Sequence, residues 1–325
     1  MELFDTPQNP RPPGGNVVGL RARDGALLRA AYWRPEGVAR GTVALIQGRA
    51  EFIEKYYEVV AELLARGFAV AAFDWRGQGL SPRLLKSHAK GHLRRSTDYR
   101  LDLDAFVQQV LVPDCPKPWF ALAHSMGAAA VFDHAADAGS PFARIVGTAP
   151  MLGLSGFPST GFARGLAGVF SALGLGRLFV PGGGPKTLLQ KPFARNILTT
   201  DHERFERARA ILAVAPQLGI GDPTIGWAHA AYGLMARLDE PGYAEKIKTP
   251  ILLLASGDER LVSTPAAESF AHRLKNASCL VFPGARHEIL MEKPEVRGKF
   301  WAAFDAFIPG EPFLRAAAEA ASSPA

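Results

Sequence analysis

Short apolar runs and helix-spaced apolar positions take turns along this chain. Val17–Arg23 and Leu27–Trp33 flank Asp24-Gly25, a dipeptide suited to the positive φ angles of a tight hairpin turn. Thr42–Gln47 and Phe68–Phe73 are continuous apolar runs, as expected of strands buried on both faces. Between them, Tyr57, Val60, Ala61 and Leu64 share one helical face within Glu54–Arg66, and Gly67 ends that helix. The pattern then predicts a helix over Asp98–Val110, capped by Ser96, Thr97 or Asp98. A strand at Trp119–His124, a helix at Met126–Ala138 and a strand at Ile145–Thr148 follow. After a long interruption, strands are expected at Ile251–Ala255 and Cys279–Phe282, and helices at Ala266–Leu274 and Glu295–Ile308.

This alternation predicts an α/β fold, with a mostly parallel sheet covered on both faces and begun by an antiparallel hairpin. The expected organisation is a loose Pro- and Gly-rich arm (1–15), a core built from 16–150 and 241–310, an inserted helical cap (151–240) and an Ala-rich tail (311–325). Ligands on such sheets sit beyond the carboxyl ends of the strands, so the polar residues directly after each strand carry the candidate chemistry.

Three strand ends stand out. In Ala123-His124-Ser125-Met126-Gly127 an apolar strand runs into a serine and then directly into a helix. Such a turn lifts the hydroxyl above the sheet, and the Met126 amide points at the same spot from the helix start. Ala123 stands where the usual Gly-x-Ser-x-Gly pattern begins with glycine. His287, in Pro283–Glu288 after the last strand, is placed to reach Ser125 as general base. Asp258 and Glu259, after Ile251–Ala255, are both available to orient the histidine. The chain order is serine, acid, histidine, which is the order in α/β-hydrolases.

With those residues in place, the sequence resembles the lysophospholipase and monoacylglycerol lipase branch of the α/β-hydrolases, from about Val17 to about Ile308. The segments that carry the likeness are Gln47–Tyr56, Phe73–Ser81, Gly91-His92 followed by Asp98-Tyr99 and Asp102, and His287–Lys293. The resemblance implies the α/β-hydrolase fold and selects Glu259 as the acid, since it precedes Arg260-Leu261-Val262; Asp258 is the alternative. It also implies that the Arg49 amide joins that of Met126 as oxyanion donor, with Gln47 where relatives often carry histidine. It implies further that the substrate is a single-chain lipid ester; Asp74, Arg76, Gly77 and Gly79 read as a structural loop rather than as catalytic groups. Small-ester hydrolysis, acyl transfer and non-catalytic lipid binding are the other readings.

Within the interruption, Phe162, Leu166, Val169, Phe170 and Leu173 recur at helical spacing, with Arg164 and Arg177 at the ends. This stripe reads either as a helix packed on the core or as an acyl-chain channel or membrane-facing lid, with Phe162, Leu166 and Phe170 as substrate contacts. Asp201–Val214 reads as an ordinary amphipathic helix. Composition changes little in this picture. The 37 Lys and Arg against 31 Asp and Glu give a net charge of +6 with no long run of one sign. That balance suits a mixed solvated surface and transient contact with an anionic membrane, and nucleic acid is not expected as a partner. Two cysteines, Cys115 and Cys279, build neither a disulfide framework nor a zinc site. No metal or organic cofactor is implied. The first residues lack a basic and apolar leader, and no stretch is long and apolar enough to span a bilayer, so a cytoplasmic location is expected. Oligomeric state leaves no signature in the pattern.

Overall fold

The computed structural model describes residues 2–156 and 160–309, so the expected tail over 311–325 lies outside the described residues. In chain order the strands are β1 (Asn16–Arg21), β2 (Leu27–Trp33), β3 (Thr42–Ile46), β4 (Ala69–Phe73), β5 (Trp119–His124), β6 (Arg144–Thr148), β7 (Ile251–Ser256) and β8 (Ala277–Phe282). They form one 8-stranded sheet in the order β1-β2-β4-β3-β5-β6-β7-β8. Only the β1–β2 and β2–β4 pairings are antiparallel. Every position of β3, β4 and β5 is buried, which explains why these strands read as unbroken apolar runs. At the far edge, β8 alternates half-buried and exposed positions over its first four residues, leaves Val281 exposed and buries Phe282.

The helices are α1 (Tyr57–Ala65), α2 (Asp98–Phe106), α3 (Met126–Ala138), α4 (Thr160–Ala172), α5 (His202–Val214), α6 (Ile225–Asp239), α7 (Thr264–Arg273) and α8 (Pro294–Phe307). One core, with Trp75, Phe106, Phe132 and Phe270, lies under α2, α3 and α7. The opposite core holds Phe68, Phe120, Phe300 and Phe304 under α1 and α8. Each such ring contributes about 2–3 kcal/mol by leaving water. Local chemistry sets the helix boundaries. Gly67, at φ 80, closes the turn after α1, and Ser263 caps α7 by accepting from the Ala266 amide at 3.2 Å. At α2 none of the expected caps holds in that form: Thr97 makes no side-chain capping bond, and the Asp98 carboxylate turns back to Arg95 instead.

The loop after β4 is structural, as expected. Arg29 and Asp74 pair at 2.6 Å and Arg76 and Asp102 at 2.7 Å, with both arginines buried. The residues between β6 and β7 form an insertion in which α4 packs on α6 and α6 on α3. A third apolar cluster, with Phe205, Ile211 and Leu218, joins the insertion to Phe52 of the core. Among the described residues no helix is long and apolar enough to cross a membrane.

Candidate active site

Sheet register assembles the site. Ile46 pairs with Ala123 across β3 and β5, so Gln47-Gly48 leaves the sheet beside His124-Ser125. Ser256 pairs with Phe282 across β7 and β8, so the loops bearing Glu259 and His287 leave together. Close approach at the first junction requires glycine. A Cβ at Gly127 would lie 2.3 Å from the Gln47 carbonyl oxygen, and one at Gly48 would lie 3.2 Å from the Ser125 Cβ.

Ser125 has φ 51 and ψ −117, a conformation that L-residues avoid and that the elbow between β5 and α3 imposes. Its amide is held by the Thr148 carbonyl at 2.9 Å, and its own carbonyl accepts from the amides of Ala129 and Met151. The strain is therefore held in place from three sides.

His287 Nε2 lies 2.9 Å from Ser125 Oγ, and its Nδ1 lies 2.8 Å from Glu259 Oε2. The other Glu259 oxygen accepts from the amides of Arg260 and Leu261, each at 2.8 Å, and of Val262 at 3.4 Å. Burial alone would raise this carboxyl, but the bond and attraction to His287 and the backbone amides outweigh it and hold Glu259 below the usual range. Asp258 is half-exposed and pairs with Arg260 and Arg286, away from the histidine. The structure thus brings Glu259, and not Asp258, to His287. Other histidines are engaged elsewhere, His92 with Thr224 and His134 with Asp104.

The amides of Arg49 and Met126 find no acceptor among the described residues. The loop bearing Arg49 is held by Glu51, whose carboxylate accepts from the Gly48 amide and the Tyr56 hydroxyl. Lys55 bridges Glu51 at 2.7 Å and Glu288 at 2.5 Å, all three buried. One ammonium between two buried carboxylates splits them: burial raises both, but Lys55 takes Glu51 below the usual range while Glu288 stays above it. His124 packs on His287 with ring centroids 4.8 Å apart. Its Nδ1 meets Thr148 Oγ1 at 3.0 Å, and burial pushes it down to about 4, so it is neutral near pH 7. The sequence reading missed this cluster; the Glu51–Lys55 spacing, one helical turn, was its visible trace.

Ser125 and His287 open onto a cavity of about 280 Å³ that Gly48, Arg49, Met151, Leu154 and Trp227 also line. A second, apolar cavity of about 460 Å³ shares Met151, Leu154, Pro223 and Trp227 with it. Leu166 and Phe170 line this second cavity rather than the one at the serine. The side chain of Phe162 lies outside the described residues.

A strand–elbow–helix serine with acid and histidine on later loops of a mostly parallel sheet defines an α/β-hydrolase. The chain belongs to the Hydrolase_4 family, whose model, described as serine aminopeptidase, S33, matches residues 37–294. It is 34% identical over 263 residues to lysophospholipase L2 of Escherichia coli strain K12, covering 78% of this chain and 76% of that one. "Probable lysophospholipase L2" of Haemophilus influenzae is 31% identical over 265 residues, covering 81% and 82%. Among solved structures, a soluble variant of monoglyceride lipase from Saccharomyces cerevisiae in complex with a substrate analog superposes with a TM-score of 0.70 at 20% identity, covering 92% of this chain and 97% of that one.

Proposed function

We propose that this chain is a serine hydrolase that cleaves carboxylic esters of single-chain lipids, as a lysophospholipase or monoacylglycerol lipase. The reading is carried by Ser125, His287 and Glu259 standing in hydrogen-bond sequence at 2.9 and 2.8 Å on the wall of a cavity. Support for a lipid comes from the adjoining apolar cavity, which suits an acyl chain, and from the names of the curated relatives.

In the proposed mechanism His287 Nε2 takes the proton of Ser125 as Oγ attacks the ester carbonyl. Glu259 fixes the imidazole tautomer and stabilises the imidazolium. The carbonyl oxygen gains negative charge between the amides of Arg49 and Met126, a donor pair of which each member is worth about a hundred- to a thousand-fold in rate. His287 then passes its proton to the leaving alcohol. Water, deprotonated in turn by His287, attacks the acyl-enzyme and releases the fatty acid.

The insertion acts as a cap that meets the lipid surface. On α4 and just beyond it, Val169, Leu173 and Leu178 expose 57%, 69% and 50% of their surface, beside exposed Arg164 and Arg177. Apolar side chains among cations suit the boundary of an anionic bilayer.

Labelling with a fluorophosphonate probe tests the central assignment. Wild type should label and Ser125→Ala should not, with ester turnover falling by about 10⁴-fold or more. Equal labelling of both proteins would remove Ser125 as nucleophile. Long-chain lysophospholipid and monoacylglycerol should be turned over faster than short p-nitrophenyl esters or aminoacyl anilides.

A further inference from the structure

Among the described residues, the three arginines that the fold buries most fully are matched to acids, whereas the half-buried Arg49 of the catalytic cavity is not. Arg29 is paired with Glu54 and Asp74, Arg76 with Asp102 and Asp24, and Arg297 with Glu62 and Glu58. Arg49 forms no ion pair among the described residues. Its Nη2 donates to the Gly221 carbonyl at 2.8 Å, and its buried Nε donates to nothing. A guanidinium carries five N–H groups, so most of this fork is unspent.

Position is fixed from both sides of the cavity. The guanidinium lies over the Trp227 ring at 4.9 Å, and the Trp227 Nε1–H donates to the Tyr99 hydroxyl at 3.0 Å. Gly221 and Trp227 belong to the insertion and Tyr99 to α2, so core and insertion together hold the fork in one place. Arg49 lines the cavity that contains Ser125. Its own amide is the proposed oxyanion donor, which ties the side chain to the ester carbonyl by a single residue. In a lysophospholipid, a glycerol backbone separates the scissile ester from the phosphate, a span comparable with the reach of an arginine side chain from its own backbone. Asp222 lines the same cavity, and one of its carboxylate oxygens accepts from the Gly184 amide at 2.9 Å. It opposes a second negative charge there and favours a phosphodiester, whose charge is single.

We propose that the Arg49 guanidinium binds the phosphodiester of the substrate headgroup and makes this enzyme select lysophospholipids over monoacylglycerols. This deepens the reading above and rests on it. Arginine presents parallel N–H donors that match two phosphate oxygens, and the partly dehydrated fork gains more from an anion than one already in water. A monoacylglycerol has nothing to offer it.

The test is a ratio of kcat/KM for lysophosphatidylcholine and for the monoacylglycerol of the same acyl chain. Both esters use the same serine and amides, so any disturbance of the oxyanion site cancels in that ratio. Arg49→Gln should lower it by about tenfold to a hundredfold, the worth of hydrogen bonds to a charged group. Arg49→Lys, which keeps the charge and loses the fork, should fall between. A second readout needs no turnover: glycerophosphocholine should slow fluorophosphonate labelling of Ser125 in wild type and not in Arg49→Gln. A ratio within twofold of wild type in Arg49→Gln would overturn the proposal. So would equal protection of both proteins, or protection by inorganic phosphate as strong as that by glycerophosphocholine. A protein that hydrolyses neither lipid yet shows the Arg49-dependent protection would leave the headgroup site standing and sink the reading of the reaction instead.

Discussion

Two residues differ at adjacent positions, and their surroundings separate their roles. Glu259 is buried against His287 and takes three backbone amides, whereas Asp258 faces arginines at the surface. Glu259→Gln keeps the shape but cannot stabilise an imidazolium or hold the required tautomer, so kcat should drop by about 10⁴-fold. Asp258→Asn should stay within about twofold of wild type, as surface changes do. A comparable loss in both variants would contradict this division. His124 gives a pH prediction. Folding lowers it from an ordinary 6.5 to about 4, so the unfolded chain takes up its proton first as the pH falls. Its contribution is complete above pH 6.5 and is lost progressively toward pH 4, to a total of about 3 kcal/mol. Urea unfolding midpoints measured across that window should fall more steeply for wild type than for His124→Asn. The site residues readable in the sequence were those directly after strands, because strand ends can be located by pattern. The Glu51–Lys55–Glu288 cluster could not be read, because Glu288 reaches Lys55 only after the loop following β8 has folded across the sheet end.

Elements facing the sheet were legible because burial wrote itself into composition, as in β3, β4 and β5. Less was legible in the insertion. α6 runs from Ile225 to Asp239, yet its Gly226, Ala228, Ala230, Ala231 and Gly233 give no strong apolar stripe. Gly226 serves close packing, since a Cβ there would lie 2.6 Å from His92, whereas one at Gly233 would meet nothing within 4 Å. Past Val110, where the pattern placed its end, α2 continues through a π turn at Val107–Leu111 into Val112–Asp114. α4 carries a prediction of its own. Val169 and Leu173 line neither cavity and are exposed, so charging them should leave the fold and the soluble-ester site intact. Val169→Asp with Leu173→Asp should weaken sedimentation with anionic phosphatidylglycerol vesicles by about tenfold or more, each buried methylene being worth about 0.8 kcal/mol. Hydrolysis of a short p-nitrophenyl ester should be unchanged. Retained vesicle binding would assign the lipid contact to another face.

At the scale of the whole molecule, a buried carboxylate ties the insertion to the loop that carries His287, the proposed base. Glu292 is fully buried, and its oxygens accept from the amides of Arg286 and Thr200 at 2.9 and 3.0 Å and from the Thr200 hydroxyl. Around it, Thr199 Oγ1 donates to the Met291 carbonyl at 2.6 Å, Arg286 donates to the Asn196 carbonyl at 2.8 Å, and the Glu288 amide donates to Leu198 at 2.8 Å. The stretch from 196 to 201 is therefore stitched to the segment on either side of His287. Any opening of the insertion has to occur beyond this seam, on the side of α4. Glu292→Ala would leave two half-buried amides without their acceptor, each costing up to about 1–3 kcal/mol, and would free the loop at both ends of His287. The expected result is a stability loss of about 2–5 kcal/mol in urea unfolding, with kcat reduced more than KM is raised, because the base is mispositioned while the cavity walls remain. Glu292→Gln, which keeps one carbonyl acceptor, should recover part of both. Hydrogen exchange should show the Glu288 and Thr200 amides opening together in Glu292→Ala. If they instead open independently while kcat stays at the wild-type value, the seam does not position the histidine.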